Sequence, residues 1–273
     1  MSASCGWQAN NMKQPRPIEL STNVSRVVAL GASNLTRALQ IVVSSARQTW
    51  GPGIEIFGAL GHGRSYGASS RVLVRRLPGI LESGLWRELE SRPRVPTRAL
   101  VTDVGNDVLY GHSADQILSW IGETLTRLSR FTTDIVVTDL PIFNVRRLSP
   151  ATFHVFRILL FPSCSLSLDE VGVRAERVNA GVIELAKTYA ARFVRLNPEW
   201  YGVDPIHIRP VFWRPAWQQI LGEEVSPAQL DGSALDAARL YVMPPERRWL
   251  CGVEQFTPQS GVALRSGGRI WLY

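Results

Sequence analysis

A chain of 273 residues with 45% hydrophobic content can bury a full-sized core, which excludes a disordered protein. The formal charge is +7 and rests almost wholly on arginine, Lys13 and Lys187 being the only lysines; the arginines form no block and no zinc-spaced or aromatic-flanked motif accompanies them, so nucleic acid is not an expected partner. Cys5, Cys164 and Cys251 are too few and too scattered for a disulfide framework or for Cys-x-x-Cys metal chemistry.

Residues 1–23 lack a charged start followed by an apolar run, and no later stretch has the length of a membrane span, so the expectation is a cytoplasmic protein that does not cross a membrane. The β-branched run at 26–31 predicts a first strand, broken by Gly31-Ala32, and helical spacing follows over 35–50. A second strand at 54–59 leads into the glycine-rich loop Gly61-His-Gly-Arg-Ser-Tyr-Gly67, with helical spacing again over 69–81. A third strand at 98–104 ends in Gly105-Asn106-Asp107, followed by an amphipathic helix over 113–130 and a fourth strand at 134–139. Beyond Pro141 come an apolar helix at 151–161, a long amphipathic helix at 168–190, a fifth strand at 193–196 and a closing helix at 211–221.

This alternation predicts a three-layer α/β/α sandwich around a five-stranded, parallel, doubly wound sheet with its ligand crevice at the strands' carboxyl ends. It divides the chain into a tail, 1–23, one domain, 24–221, and an extension, 222–273, packed on that domain and ending in a hairpin that turns at Gly267-Gly268.

The residues able to do chemistry fall at strand ends. The first strand delivers Ser33 beside the N–H groups of a helix start, where it serves either as a helix cap or as a nucleophile. The third delivers Asn106, whose side-chain amide is a donor, and the loop after the fifth holds Asp204-Pro-Ile-His207, in which the aspartate can turn back to the Nδ1–H of the histidine. A serine esterase needs such a nucleophile, base, orienting carboxylate and oxyanion donors.

Gly31-Ala-Ser33-Asn-Leu35, a glycine after the second strand, Gly105-Asn106-Asp107 and Asp204-x-x-His207 stand in the order of the four sequence blocks of the SGNH hydrolases, or GDSL esterases, which this chain resembles over roughly residues 25–215. The resemblance implies a flavodoxin-like fold and a serine hydrolase that cleaves carboxylic esters through an acyl-enzyme. It makes Ser33 the nucleophile and its own N–H an oxyanion donor, Asn106 and Gly63 further donors with Gly61 the alternative glycine, and Asp204 and His207 the rest of a triad. It also implies a small-molecule ester as substrate, deacylase, deacetylase or lysophospholipase-like action with acyl transfer open, and neither cofactor nor metal. One departure stands out, for Ala32 occupies a position where the family usually carries an acidic residue.

Two rival readings follow from the same residues. Gly63-Arg-Ser65-Tyr-Gly67 matches the nucleophile elbow of α/β-hydrolases, which would move the chemistry to Ser65, and a non-catalytic ligand-binding member of the fold would keep the residues without turnover. His62 and His112 are expected beside the site, His154 in an apolar setting, and Asp103 and Asp107 in structural roles at the end of the third strand. Residues 141–166, dense in Phe and Leu, are expected to shape an acyl or leaving-group pocket.

Overall fold

The computed structural model describes residues 24–51, 53–162, 164–222, 234–264 and 267–273. The expected tail, 1–23, lies outside the described residues. Strand β1 (Ser25–Leu30) is followed by helices α1 (Ser33–Arg37) and α2 (Leu39–Trp50), strand β2 (Ile54–Ala59), the hairpin β3 (Ser70–Val72) and β4 (Arg75–Leu77), helix α3 (Leu85–Ser91) and strand β5 (Thr97–Val101). Next come α4 (Asn106–Leu109), α5 (Ala114–Ser129), β6 (Asp134–Thr138), α6 (Ile142–Arg146), α7 (Pro150–Leu160), α8 (Leu168–Thr188), β7 (Arg192–Val194) and α9 (Trp213–Leu221). The chain closes with α10 (Ala234–Val242), the hairpin β8 (Arg247–Leu250) and β9 (Val253–Phe256), then β10 (Val262–Ala263) and β11 (Arg269–Leu272).

The five expected strands pair in parallel in the order β2-β1-β5-β6-β7, the doubly wound arrangement whose crevice lies where the strand order reverses, outside β1 and β5. The inner strands of this middle layer are buried on both faces, whereas β7 at the edge keeps Arg192 exposed and Phe193 half-buried. Val28 and Leu30 of β1 pack toward α5 and α8, while Val27 and Ala29 pack toward α2 and α9.

The sheet has seven strands, not five, because the C-terminal hairpin adds to it. Strand β11 pairs in parallel with β2 and carries β10 at its outer edge, so the backbone groups that β2 would otherwise leave open are satisfied. Trp271 then stacks on Phe57 with ring centroids 4.6 Å apart, which gives the added strand an aromatic anchor.

The helix expected over 69–81 is instead the β3–β4 hairpin, which pairs with β8 and β9 in a separate four-stranded sheet. Leu73, in the left-handed region at φ +53°, turns the chain back, and Leu73 and Val74 stay exposed while Leu77 is buried. The expected single helix over 35–50 is interrupted at Ala38, and α3 has no counterpart among the expected elements.

Candidate active site

Gly31 lets β1 turn sharply into α1, since a Cβ there would stand 2.3 Å from Thr102 Oγ1. Ser33 is the first residue of α1, and no side chain of its own segment caps that helix. The cap comes from across the sheet. Asp103, just beyond β5, accepts the N–H groups of Ala32, Asn34 and Leu35 on Oδ2 at 2.9, 3.1 and 3.2 Å, and the Asn34 side-chain amide on Oδ1 at 2.8 Å. A carboxylate at a helix N-terminus meets both free donors and the positive end of the helix dipole. Asp103 holds this pose at φ +59°, a left-handed conformation that aspartate tolerates better than most residues. The Ser33 N–H, between two N–H groups taken by Asp103, makes no hydrogen bond among the described residues.

Asn34 carries the clamp to the opposite loop. Its Nδ2 donates to the Ile206 carbonyl at 2.9 Å, and its Oδ1 accepts the Ile208 N–H at 2.9 Å, so the backbone on both sides of His207 is fixed to the serine turn. Asp204 folds back as an Asx turn, accepting the Ile206 and His207 N–H groups on Oδ1 at 3.1 and 3.2 Å. Its Oδ2 lies 2.6 Å from His207 Nδ1, and His207 Nε2 lies 2.9 Å from Ser33 Oγ. With the Nδ1 proton on the Asp204 side, Nε2 is left as the acceptor for the serine proton. Burial pushes the Asp204 carboxyl up, but its bonds to His207 and to the loop N–H groups outweigh that and hold it below the ordinary range.

Asn106 opens α4, with its side-chain nitrogen buried and bonded to nothing among the described residues, while its neighbours line the same recess as Ser33. A buried amide without an acceptor is costly unless something supplies one. Gly63 has φ +66°, and its carbonyl accepts the Tyr110 hydroxyl at 2.6 Å, which ties this loop to the segment that carries Asn106. The pKa of His62, between Gly61 and Gly63, is lowered to about 4, first by burial and then by the charges of Arg75, Arg37 and His207, so it is neutral near pH 7. Asp107 accepts the Tyr66 N–H at 3.0 Å and is pushed up to about 6 by burial.

Ser65 stands apart from this arrangement. It is fully buried, and its hydroxyl accepts the Ala68 N–H at 3.0 Å, a turn-forming role. His112 meets Trp120 edge to face at 4.7 Å, and His154 is a surface histidine among the apolar residues of α7, close to Arg157. No cluster of three metal-ligating side chains occurs among the described residues, and none of the described helices is long and apolar enough to cross a membrane.

A slot runs from Ser33 under α6 and α7, with about 940 Å³ of empty space including its open mouth. Its walls are apolar for most of their length, through Val108, Leu140, Val145, Phe153, Phe156 and Leu160. Asp103 and Asn106 lie at the end that holds the serine, and Asp139, also in the wall, is pushed up to about 6 by burial.

The fold and this site together define a class, a three-layer α/β/α protein with a Ser-His-Asp hydrogen-bond chain at the carboxyl edge of its sheet. No protein-family model matches the chain, and no curated protein matches it. Among solved structures the chain is similar to the inhibitor-bound aryl esterase of M. smegmatis, at 14% identity and a TM-score of 0.46 over 69% of this chain and 93% of that one. It is similar to TesA at 12% identity and a TM-score of 0.44, over 72% and 96%. It is also similar to AlinE4, an esterase of the SGNH-hydrolase family, at 16% identity and a TM-score of 0.38, over 79% and 93%. These are likenesses at low identity.

Proposed function

We propose that this chain is a serine esterase of the SGNH type, which cleaves carboxylic esters with an apolar acyl part through an acyl-enzyme. The observation that carries the reading is the unbroken chain from Asp204 through His207 to Ser33, set beside a buried Asn106 amide that has no partner of its own. In this reading His207 Nε2 takes the Ser33 proton as Oγ bonds to the ester carbonyl carbon. The electron pair displaced onto the carbonyl oxygen is held by the Ser33 N–H, the Asn106 amide and the N–H of Gly63, with Gly61 the alternative to the last. The carbon to alkoxy-oxygen bond then breaks, and His207 returns its proton to the leaving alcohol. Water attacks the acyl-enzyme with His207 again as base, giving the acid and free Ser33. The apolar slot beside Ser33 supports placing the acyl chain there.

The test is labelling by a fluorophosphonate together with hydrolysis of 4-nitrophenyl esters. Ser33→Ala is expected to lose both, and Ser65→Ala to keep the label. A label that survives in Ser33→Ala and disappears in Ser65→Ala would move the chemistry to the elbow serine.

A further inference from the structure

Helix α7 is apolar on both sides. Phe153, Phe156 and Leu160 face the slot, whereas Ala151, Val155, Ile158 and Leu159 form the outer side, the last three being 54%, 51% and 68% exposed. A surface helix ordinarily turns charge to water on that side. Here His154 is the one polar residue exposed between Ala151 and Leu159.

The charge carried by this segment itself has a single sign, although Glu176 and Glu199 of neighbouring elements stand close to it. From Leu140 to Leu168 the chain has no acidic residue and three arginines, Arg146, Arg147 and Arg157. Arg146 is exposed and also pairs with Glu176 of α8, while Arg147 is exposed with its guanidinium 5.3 Å from the ring of Phe143, itself 53% exposed. Arg157 donates to the Cys164 carbonyl at 2.9 Å and stays close to the helix.

We propose that α6 and α7 dock on an anionic lipid surface, with the outer side of α7 at the acyl boundary and Arg146 and Arg147 at the headgroups. An apolar helix face beside arginines and an aromatic ring fits such an interface by both of its components. Self-association through this face is disfavoured, since Arg146 is already paired with Glu176 and the contact would bring the two copies' Arg147 together with no acidic residue of residues 140–168 to offset them. The slot lies directly beneath α7, so an acyl chain leaving the lipid has a short path to Ser33. Delivery to Ser33 rests on the esterase reading, whereas docking does not.

The experiment is sedimentation of the full chain with vesicles of phosphatidylcholine alone and of phosphatidylcholine mixed with phosphatidylglycerol. The mixed vesicles should bind roughly tenfold more protein, and added salt should weaken that binding. Ile158→Glu with Leu159→Glu should abolish it yet leave hydrolysis of dissolved 4-nitrophenyl acetate unchanged, since neither residue lines the slot. Should that double variant fold poorly, Arg147→Glu alone should weaken binding to the mixed vesicles and not to phosphatidylcholine. Ser33→Ala should bind like the parent, so a failed esterase reading appears as absent turnover with docking intact. Equal binding to the two vesicle types, or a double variant that binds as the parent does, overturns the proposal. So does a parent dimer that dissociates on the double substitution, because the face would then be a contact between copies.

Discussion

Asp103→Asn tests the clamp that holds the serine turn. The carboxylate accepts three N–H groups on one oxygen and the Asn34 amide on the other. An asparagine tolerates the left-handed backbone at φ +59°, so the substitution changes the side chain and spares the turn. It cannot spare the bonds, since its NH₂ must face either the three N–H groups or the Asn34 Nδ2. In the better orientation one charge-assisted bond is lost and the others weaken, a cost of about 2 kcal/mol. For a chain of this size that is a fall of roughly 4–8 °C in Tm. A serine displaced by about 1 Å costs on the order of a hundredfold in kcat. Stopped-flow turnover of a 4-nitrophenyl ester and the rate of fluorophosphonate labelling should both fall, with KM changing less than kcat. If kcat and labelling rate stay within twofold of the parent while Tm drops, Asp103 stabilises the fold without placing the serine, and the reasoning fails.

Asp204→Asn should keep the fold and lose up to about ten-thousandfold in kcat by favouring the wrong His207 tautomer, as other triads do; a loss no larger than threefold, measured on the folded variant, would remove Asp204 from the triad. Asp107 binds its proton more tightly when folded, at about 6 against an ordinary 3.8, so its contribution to stability is lost as pH rises through that window. Asp107→Asn should therefore raise stability by up to roughly 3 kcal/mol above pH 6 and leave it unchanged below pH 4, and denaturant titrations at both pH values would expose an effect of the opposite sign. Phe156→Ala should lower the ratio of octanoate to acetate ester turnover roughly tenfold, because it removes apolar wall from the slot. An unchanged ratio would detach the acyl chain from that wall.

The parallel sheet was legible because β1, β2, β5 and β6 read as short, largely apolar runs with β-branched residues, buried on both faces at their carboxyl ends and set off by nearby glycine or proline. Strand β11 was legible as half of a hairpin, but not as a neighbour of β2, since Ile270 to Leu272 carry no mark of their distant partner. The misread stretch at 69–81 shows the converse. Its apolar spacing suits a helix locally, and pairing with β8, about 170 residues on, selects the strand. Ser33, Asn106, Asp204 and His207 could each be named from residue type and place at a strand end. The roles of Asp103 and Asn34 could not, because Asp103 caps a helix that begins 70 residues earlier and Asn34 bonds the backbone around His207. The one available signal was Ala32 itself, a turn without an acid of its own that needs one from elsewhere.

The pairing of β1 with β5 acts as the gauge of the site. Leu30 stands opposite Val101, and the Thr102 N–H donates to the Leu30 carbonyl at 2.9 Å, one step before the serine turn on one strand and the aspartate on the other. A slip of one residue would carry Asp103 about 3.3 Å along the strand and turn its side chain to the opposite face. Asn106 follows Asp103 by three residues, so one register sets where Ser33 stands and where the candidate oxyanion donor waits. Assembly of the site is then no separate event from assembly of the sheet, and the clamp of Asp103 on the Ser33 turn exists only in chains whose two central strands have found their one alignment.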